Sequence, residues 1–163
     1  MRPTGTVEDD GRTLVLTRRF AAPIDDVWAS VTESERTARW FGTWTGDPSA
    51  GSVLVTMNAE AEPAEPTRFD IVTCEPPRLL TVSADDAAGH WFISLRLDED
   101  GDGTTLVFRQ EQLEPGSVAD IGPGWEWYLD RLLATVVGGP VPSLADFDST
   151  YMPLSEAYRS LVR

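Results

Sequence analysis

Between Ser52 and Leu113 the hydrophobic pattern runs in five strand-like stretches broken by turn-forming residues, and the period then changes to that of one helix. The strands predicted are Ser52 to Met57, Arg68 to Cys74, Leu79 to Ala84, Trp91 to Leu97 and Thr104 to Leu113. Between them lie the stretch Glu60 to Pro66, Pro76-Pro77, Asp85-Asp86 and the run Asp98 to Gly103. Consecutive strands joined by turns this short pair antiparallel, as a meander. In Trp91, Ile93, Leu95 and Leu97 the apolar side stands opposite Phe92, Ser94 and Arg96, so one face of the sheet is buried and the other is wet.

The helix that follows carries Trp125, Leu129, Leu132, Leu133 and Val136 at i, i+4, i+7, i+8 and i+11. Gly122-Pro123-Gly124 reads as its start and Gly138-Gly139-Pro140 as its end. Ahead of the meander, Arg12 to Phe20 alternates as a strand, with Leu14, Leu16, Arg18 and Phe20 sharing one parity. Pro23 then opens a helix whose stripe is Ile24, Val27, Trp28 and Val31, with Asp25 and Asp26 in the favourable first turn. A short helix over Ser34 to Trp40 runs into the aromatic, glycine-rich loop Phe41 to Gly46. This organisation predicts a flexible tail over 1–11, one α+β domain over 12–138, and an extension over 139–163 that, with Phe147, Tyr151, Met152, Leu154, Tyr158 and Leu161, is apolar enough to dock back on the domain. A short helix is expected near Leu154 to Val162.

At 163 residues the chain can bury roughly 70% of its unfolded surface in one core and needs no disulfide or metal staple. It carries 27 acids against 13 bases, all of them arginine, for a formal charge of −14. Such a charge repels polyanions, so neither nucleic acid nor an anionic membrane is an expected partner. The absence of lysine excludes Schiff-base chemistry, and one histidine (His90) with one cysteine (Cys74) cannot build a His/Cys metal cage or a CxxC redox pair. No cofactor is expected. No apolar run approaches the roughly 18 residues of a membrane span, and the opening MRPTGTVEDD lacks the apolar region of a signal peptide. A soluble cytoplasmic protein, monomer or homodimer, is the expectation.

Six short motifs in order carry a family resemblance. They are Arg18-Arg19-Phe20-Ala21-Ala22-Pro23 leading into Val27-Trp28, Arg39-Trp40-Phe41, Gly51, Glu75-Pro76-Pro77-Arg78-Leu79, Gly103-Thr104-Thr105-Leu106, and Gly124-Trp125 with Leu129-Asp130-Arg131-Leu132. Across about residues 12 to 138 the chain resembles the SRPBCC superfamily of START-like lipid-binding domains, in the branch of the heat-shock-protein-90 ATPase activator homologue. The resemblance implies a helix-grip fold, in which a curved antiparallel sheet wraps around the long C-terminal helix, with two short helices after the first strand. It also implies a cavity between sheet and helix suited to apolar molecules. Gln110 stands where many relatives of the branch carry a histidine, and Val82 and Ser83 stand where a tryptophan is often found.

Periodicity puts Trp125, Leu129, Leu132 and Leu133 of the helix opposite Trp91, Ile93, Leu95, Leu106 and Phe108 of the strands, as cavity walls or as a solid core. Trp40, Phe41 and Trp44 either gate one end of that space or plug it. Gln110, on the face of Leu106 and Phe108, bonds either a ligand or a protein neighbour, because an unpaired buried amide costs roughly 1 to 3 kcal/mol. His90 is expected on the wet face and Cys74 as a small buried hydrophobe. Asp98, Asp100 and Asp102 mimic half of a calcium loop, but the twelfth position is Arg109 where a carboxylate is required, so a solvated hairpin is expected. Glu126 and Asp130, off the helix stripe, read as a solvent-facing charged flank.

The first function this supports is a binding domain for a small apolar or aromatic molecule. The resemblance implies a second, a chaperone accessory acting on a heat-shock ATPase, and a third, a cyclase- or aromatase-like enzyme using the same cavity.

Overall fold

The computed structural model describes residues 1–62 and 64–162. Its eight strands are β1 (Thr6–Glu8), β2 (Thr13–Phe20), β3 (Gly42–Thr45), β4 (Ser52–Met57), β5 (Thr67–Glu75), β6 (Leu79–Asp86), β7 (Gly89–Asp100) and β8 (Gly103–Glu111). They form one antiparallel sheet in the order β1-β2-β8-β7-β6-β5-β4-β3. The helices are α1 (Ile24–Thr32), α2 (Ser34–Thr37), α3 (Val118–Val137), α4 (Leu144–Asp146) and α5 (Leu154–Leu161), with a π turn over Phe147–Tyr151.

The alternation read from sequence is the alternation of the sheet. Leu14, Leu16 and Phe20 of β2, Leu106 and Phe108 of β8, and Ile93, Leu95 and Leu97 of β7 are buried on one face, where Phe108 pairs in register with both Leu16 and Leu95. The 20 residues of α3 give a rod about 30 Å long that lies across that face. Since β2 adjoins β8 while β3 is at the far edge, the chain must cross from one side of the sheet to the other between them. It does so through α1 and α2, which close one end of the concave face.

One device curves the sheet. The register of β5 against β6 shifts between Ile71 and Thr73, a bulge that bends the strand. The β7–β8 hairpin turns on Gly101-Asp102, with Gly101 at φ 62°, the positive value its two-residue loop demands at the first position.

Several expectations are corrected. The tail expected to be flexible is structured: Thr6–Glu8 pairs with β2, and Thr4 and Gly5 donate to Glu126. The loop after Phe41 contains β3, which pairs Gly42 with Met57 so tightly that a Cβ on Gly42 would stand 2.4 Å from the Thr56 carbonyl oxygen. Helix α3 begins at Val118, ahead of the expected start, and holds Pro123 inside it. Gly122 is a close-approach residue rather than a start signal, because an added Cβ would stand 2.6 Å from the Tyr158 ring of α5.

The largest correction concerns Glu126 and Asp130. Glu126 is fully buried and Asp130 three-quarters covered, because the segment before β1 and the C-terminal extension pack as a second layer along the flank of α3 beside β2. Glu126 accepts from the Thr4 amide and hydroxyl (both 2.6 Å), the Tyr158 hydroxyl (2.6 Å) and the Arg18 guanidinium (2.8 Å). Arg18 also donates to Asp130 at 2.9 Å. Burial works to raise the Glu126 carboxyl, but the bonds from Thr4, Tyr158 and Arg18 outweigh it and hold the group below its ordinary value.

Candidate ligand cavity

The helix does not fill the concave face of the sheet. Among the described residues it leaves hollows that include one of about 660 Å³ and one of about 200 Å³. The smaller one lies against α1, α2 and the central strands, and its walls include Val53, Ile71, Leu80, Val82, Leu95 and Leu129. The larger one opens beside the β4–β5 connection, the first turns of α3 and the C-terminal extension.

Trp125 of α3 is the centre of the arrangement. Its indole N–H donates to Gln110 Oε1 at 2.7 Å, its ring meets Phe108 at 4.4 Å, and it stacks on Phe41 at 6.1 Å with the planes 12° apart. Phe41 in turn meets Phe69 and Tyr128 edge-on, at 6.4 and 5.2 Å. Trp40 and Trp44 are tied to α1 by indole bonds to the carbonyls of Ser30 and Thr32, each 2.9 Å.

The residues singled out from sequence therefore divide. Trp40, Trp44, Leu95, Phe108 and Leu129 line the smaller hollow, Trp91 the larger, and Phe41, Ile93 and Trp125 both. Leu106 and Leu132 have no exposed surface and belong to solid core, and Leu133 packs against that core without reaching either hollow. Gln110 is buried and bonds the protein, not the cavity. Cys74 corrects its expectation: the β5 bulge turns it onto the face of Phe69 and Ile71, at an exposed rim of the smaller hollow. His90 is exposed, with Nδ1 2.8 Å from Asp85.

Sequence reading missed Phe69, Val55, Met57, Tyr128, Ile121, Trp127 and Phe147 as walls. Tyr128 lies three residues after Trp125, a helical spacing that could have revealed it. Trp127 and Phe147 meet edge-on at 5.6 Å because the extension folds over α3, a contact no local pattern encodes.

The mouth of the larger hollow is acidic, with Glu60, Glu62, Asp86, Asp120 and Asp148 around it. Tyr128 donates to Glu60 at 2.8 Å, and the Trp91 indole donates to Asp86 at 2.9 Å. Burial, reinforced by the Glu60 carboxylate, pushes the Tyr128 phenol far above its ordinary value, so it stays a neutral donor. Among the described residues no group of three or more His, Cys, Asp or Glu side chains is placed to hold a metal ion.

A curved antiparallel sheet gripping a long C-terminal helix around an aromatic-walled cavity defines a START-like domain of the SRPBCC class. Within that class the chain belongs to the Activator of Hsp90 ATPase homolog 1-like protein family, whose model matches residues 21–137. It is similar to CalU16 from Micromonospora echinospora, whose crystal structure is 30% identical, covers 98% of this chain and 94% of that one, and superposes with a TM-score of 0.74. The solution structure of CalU16 gives 29% identity, 97% and 91% coverage and the same TM-score. A Bordetella parapertussis protein solved by NMR is 23% identical over 97% of this chain and 93% of its own, also at 0.74, and shows the shared fold. No curated protein matches the chain.

Proposed function

We propose that this protein binds a small apolar or aromatic molecule in the larger hollow between sheet and α3. The observation that carries the reading is the hollow of about 660 Å³ walled by Phe41, Phe69, Trp91, Trp125, Trp127 and Tyr128. That volume falls within the roughly 300 to 1,000 Å³ of small-molecule sites, and flat rings gain both area and favourable edge and face contacts against such walls. Trp125 is fixed by Gln110, so a wall is held ready before the ligand arrives. The setting that goes with this reading is a soluble cytoplasmic protein, monomer or homodimer; no helix among the described residues is long and apolar enough to cross a membrane.

A thermal-shift screen of fatty acids, flavonoids and polycyclic aromatics tests it, alongside native mass spectrometry of gently purified protein. A ligand at 100 times its Kd raises stability by about 2.7 kcal/mol, a readily visible shift. No bound species and no stabilisation by any of these classes would sink the reading.

Membership of the family supports a second reading, a chaperone accessory that docks on a heat-shock ATPase. A pull-down and ATPase assay with the host's heat-shock ATPase test it, and an unchanged ATPase rate with no complex removes it.

A further inference from the structure

The two hollows share one partition. Phe41, Val55, Phe69, Ile93 and Trp125 line both, and four of these are fixed. Val55, Phe69 and Ile93 stand on paired strands, and Trp125 is tethered through its indole to Gln110. Phe41 differs. It occupies the junction between α2 and β3, where its backbone is anchored by its own N–H to the Thr37 carbonyl (2.8 Å) and by the Asn58 N–H to its carbonyl (3.2 Å). Its ring has no polar tether, and it is held by packing against the core and by aromatic contacts with Trp40, Phe69, Trp125 and Tyr128.

We propose that Phe41 is the residue that sets how long a ligand this protein accepts. The inference rests on the binding reading above and adds to it the identity of the stop. A ligand entering through the larger hollow meets the Phe41 ring with its apolar end. Beyond the ring lies about 200 Å³ of further apolar space, walled by such residues as Val53, Ile71, Leu80 and Val82. With the ring in place that space is closed from the side of the larger hollow, and with the ring removed the two hollows become one elongated chamber.

The test uses neutral probes of graded length, the primary n-alkanols from hexanol to hexadecanol, displacing Nile red from the full chain. In the wild type, affinity rises by about fourfold per added methylene until the larger hollow is filled, and then levels. In Phe41→Ala the rise continues to alkanols several carbons longer, and Phe41→Leu levels at an intermediate length. Leu80→Trp, which narrows only the smaller hollow, shortens the cutoff again when added to Phe41→Ala. Melting temperature and circular dichroism check that each variant folds. A merely structural role for Phe41 lowers all affinities together and leaves the cutoff where it was, which overturns the inference while the binding reading stands. A longer cutoff that Leu80→Trp fails to shorten also overturns it. Absence of Nile red and alkanol binding in the wild type removes the reading itself, and the inference with it.

Discussion

Gln110 accepts the indole N–H of Trp125 at 2.7 Å, joining the last strand to the helix across the floor of the cavity. Its side-chain carbonyl oxygen is thereby occupied, and its role is to orient a wall. Replacing it with Ala leaves a buried indole donor unsatisfied at a cost of about 1 to 3 kcal/mol. Urea titration of Gln110→Ala should show a lower midpoint with the slope unchanged, and Trp125 should lose its fixed orientation. Gln110→His, which keeps a ring-nitrogen acceptor, should recover part of the loss. Unchanged stability in the Ala variant contradicts this role.

Glu126 is the acid on which the second layer converges. Glu126→Gln takes from the buried Arg18 one of its two carboxylate partners, Asp130 remaining, and should destabilise the protein by up to about 3 kcal/mol, measured by denaturant unfolding. Arg18→Met combined with Glu126→Leu removes both charges and should be markedly less harmful than either single change.

The same pair makes stability depend on pH with a definite sign. The folded Glu126 carboxyl is held below its unfolded value, so its contribution is complete above the ordinary glutamate value of about 4.3 and is lost as pH falls through the folded value. Wild-type stability should therefore fall more steeply than that of Glu126→Gln between about pH 5 and about pH 3. Parallel curves would show that Glu126 is not the acid-sensitive group.

Gly122 is required by contact rather than by backbone freedom. An alanine there places its Cβ 2.6 Å from the Tyr158 ring, and overpacking of this kind costs about 1 to 3 kcal/mol. Gly122→Ala should lower the melting temperature, and adding Tyr158→Leu, which removes the ring, should give a smaller penalty than the sum of the two single changes.

What could be read from the chain and what could not differ in kind. The alternation of Leu14, Leu16 and Phe20, of Ile93, Leu95 and Leu97, and of Leu106 and Phe108 encodes the inner face of the sheet, because strand period and burial coincide there. The helix stripe from Trp125 to Leu132 encodes the opposing face for the same reason. The second layer on α3 was hidden because its contacts join Thr4 to Glu126 and Trp127 to Ser143, pairings that no local period reports. One signal was available: Arg18 sits at the inward parity of β2, and a buried arginine needs a buried acid. The hollows themselves were not legible. Periodicity names the residues that face inward, and whether they meet or leave a gap depends on the bulge in β5, the path of α1 and α2, and the position of Phe41.

The most direct measurement is the indole N–H region of a ¹⁵N–¹H spectrum during titration with a neutral aromatic such as 2-naphthol. Trp91, Trp125 and Trp127 line the larger hollow, whereas Trp28, packed against the core from α1, lines neither. Saturable shifts of the Trp91, Trp125 and Trp127 signals, with Trp28 still, are the expected result, and Ile121→Trp, which narrows the hollow, should weaken the binding they report. Absence of any shift up to the solubility limit of the aromatic, or shifts confined to Trp28, would contradict a ligand site between sheet and helix.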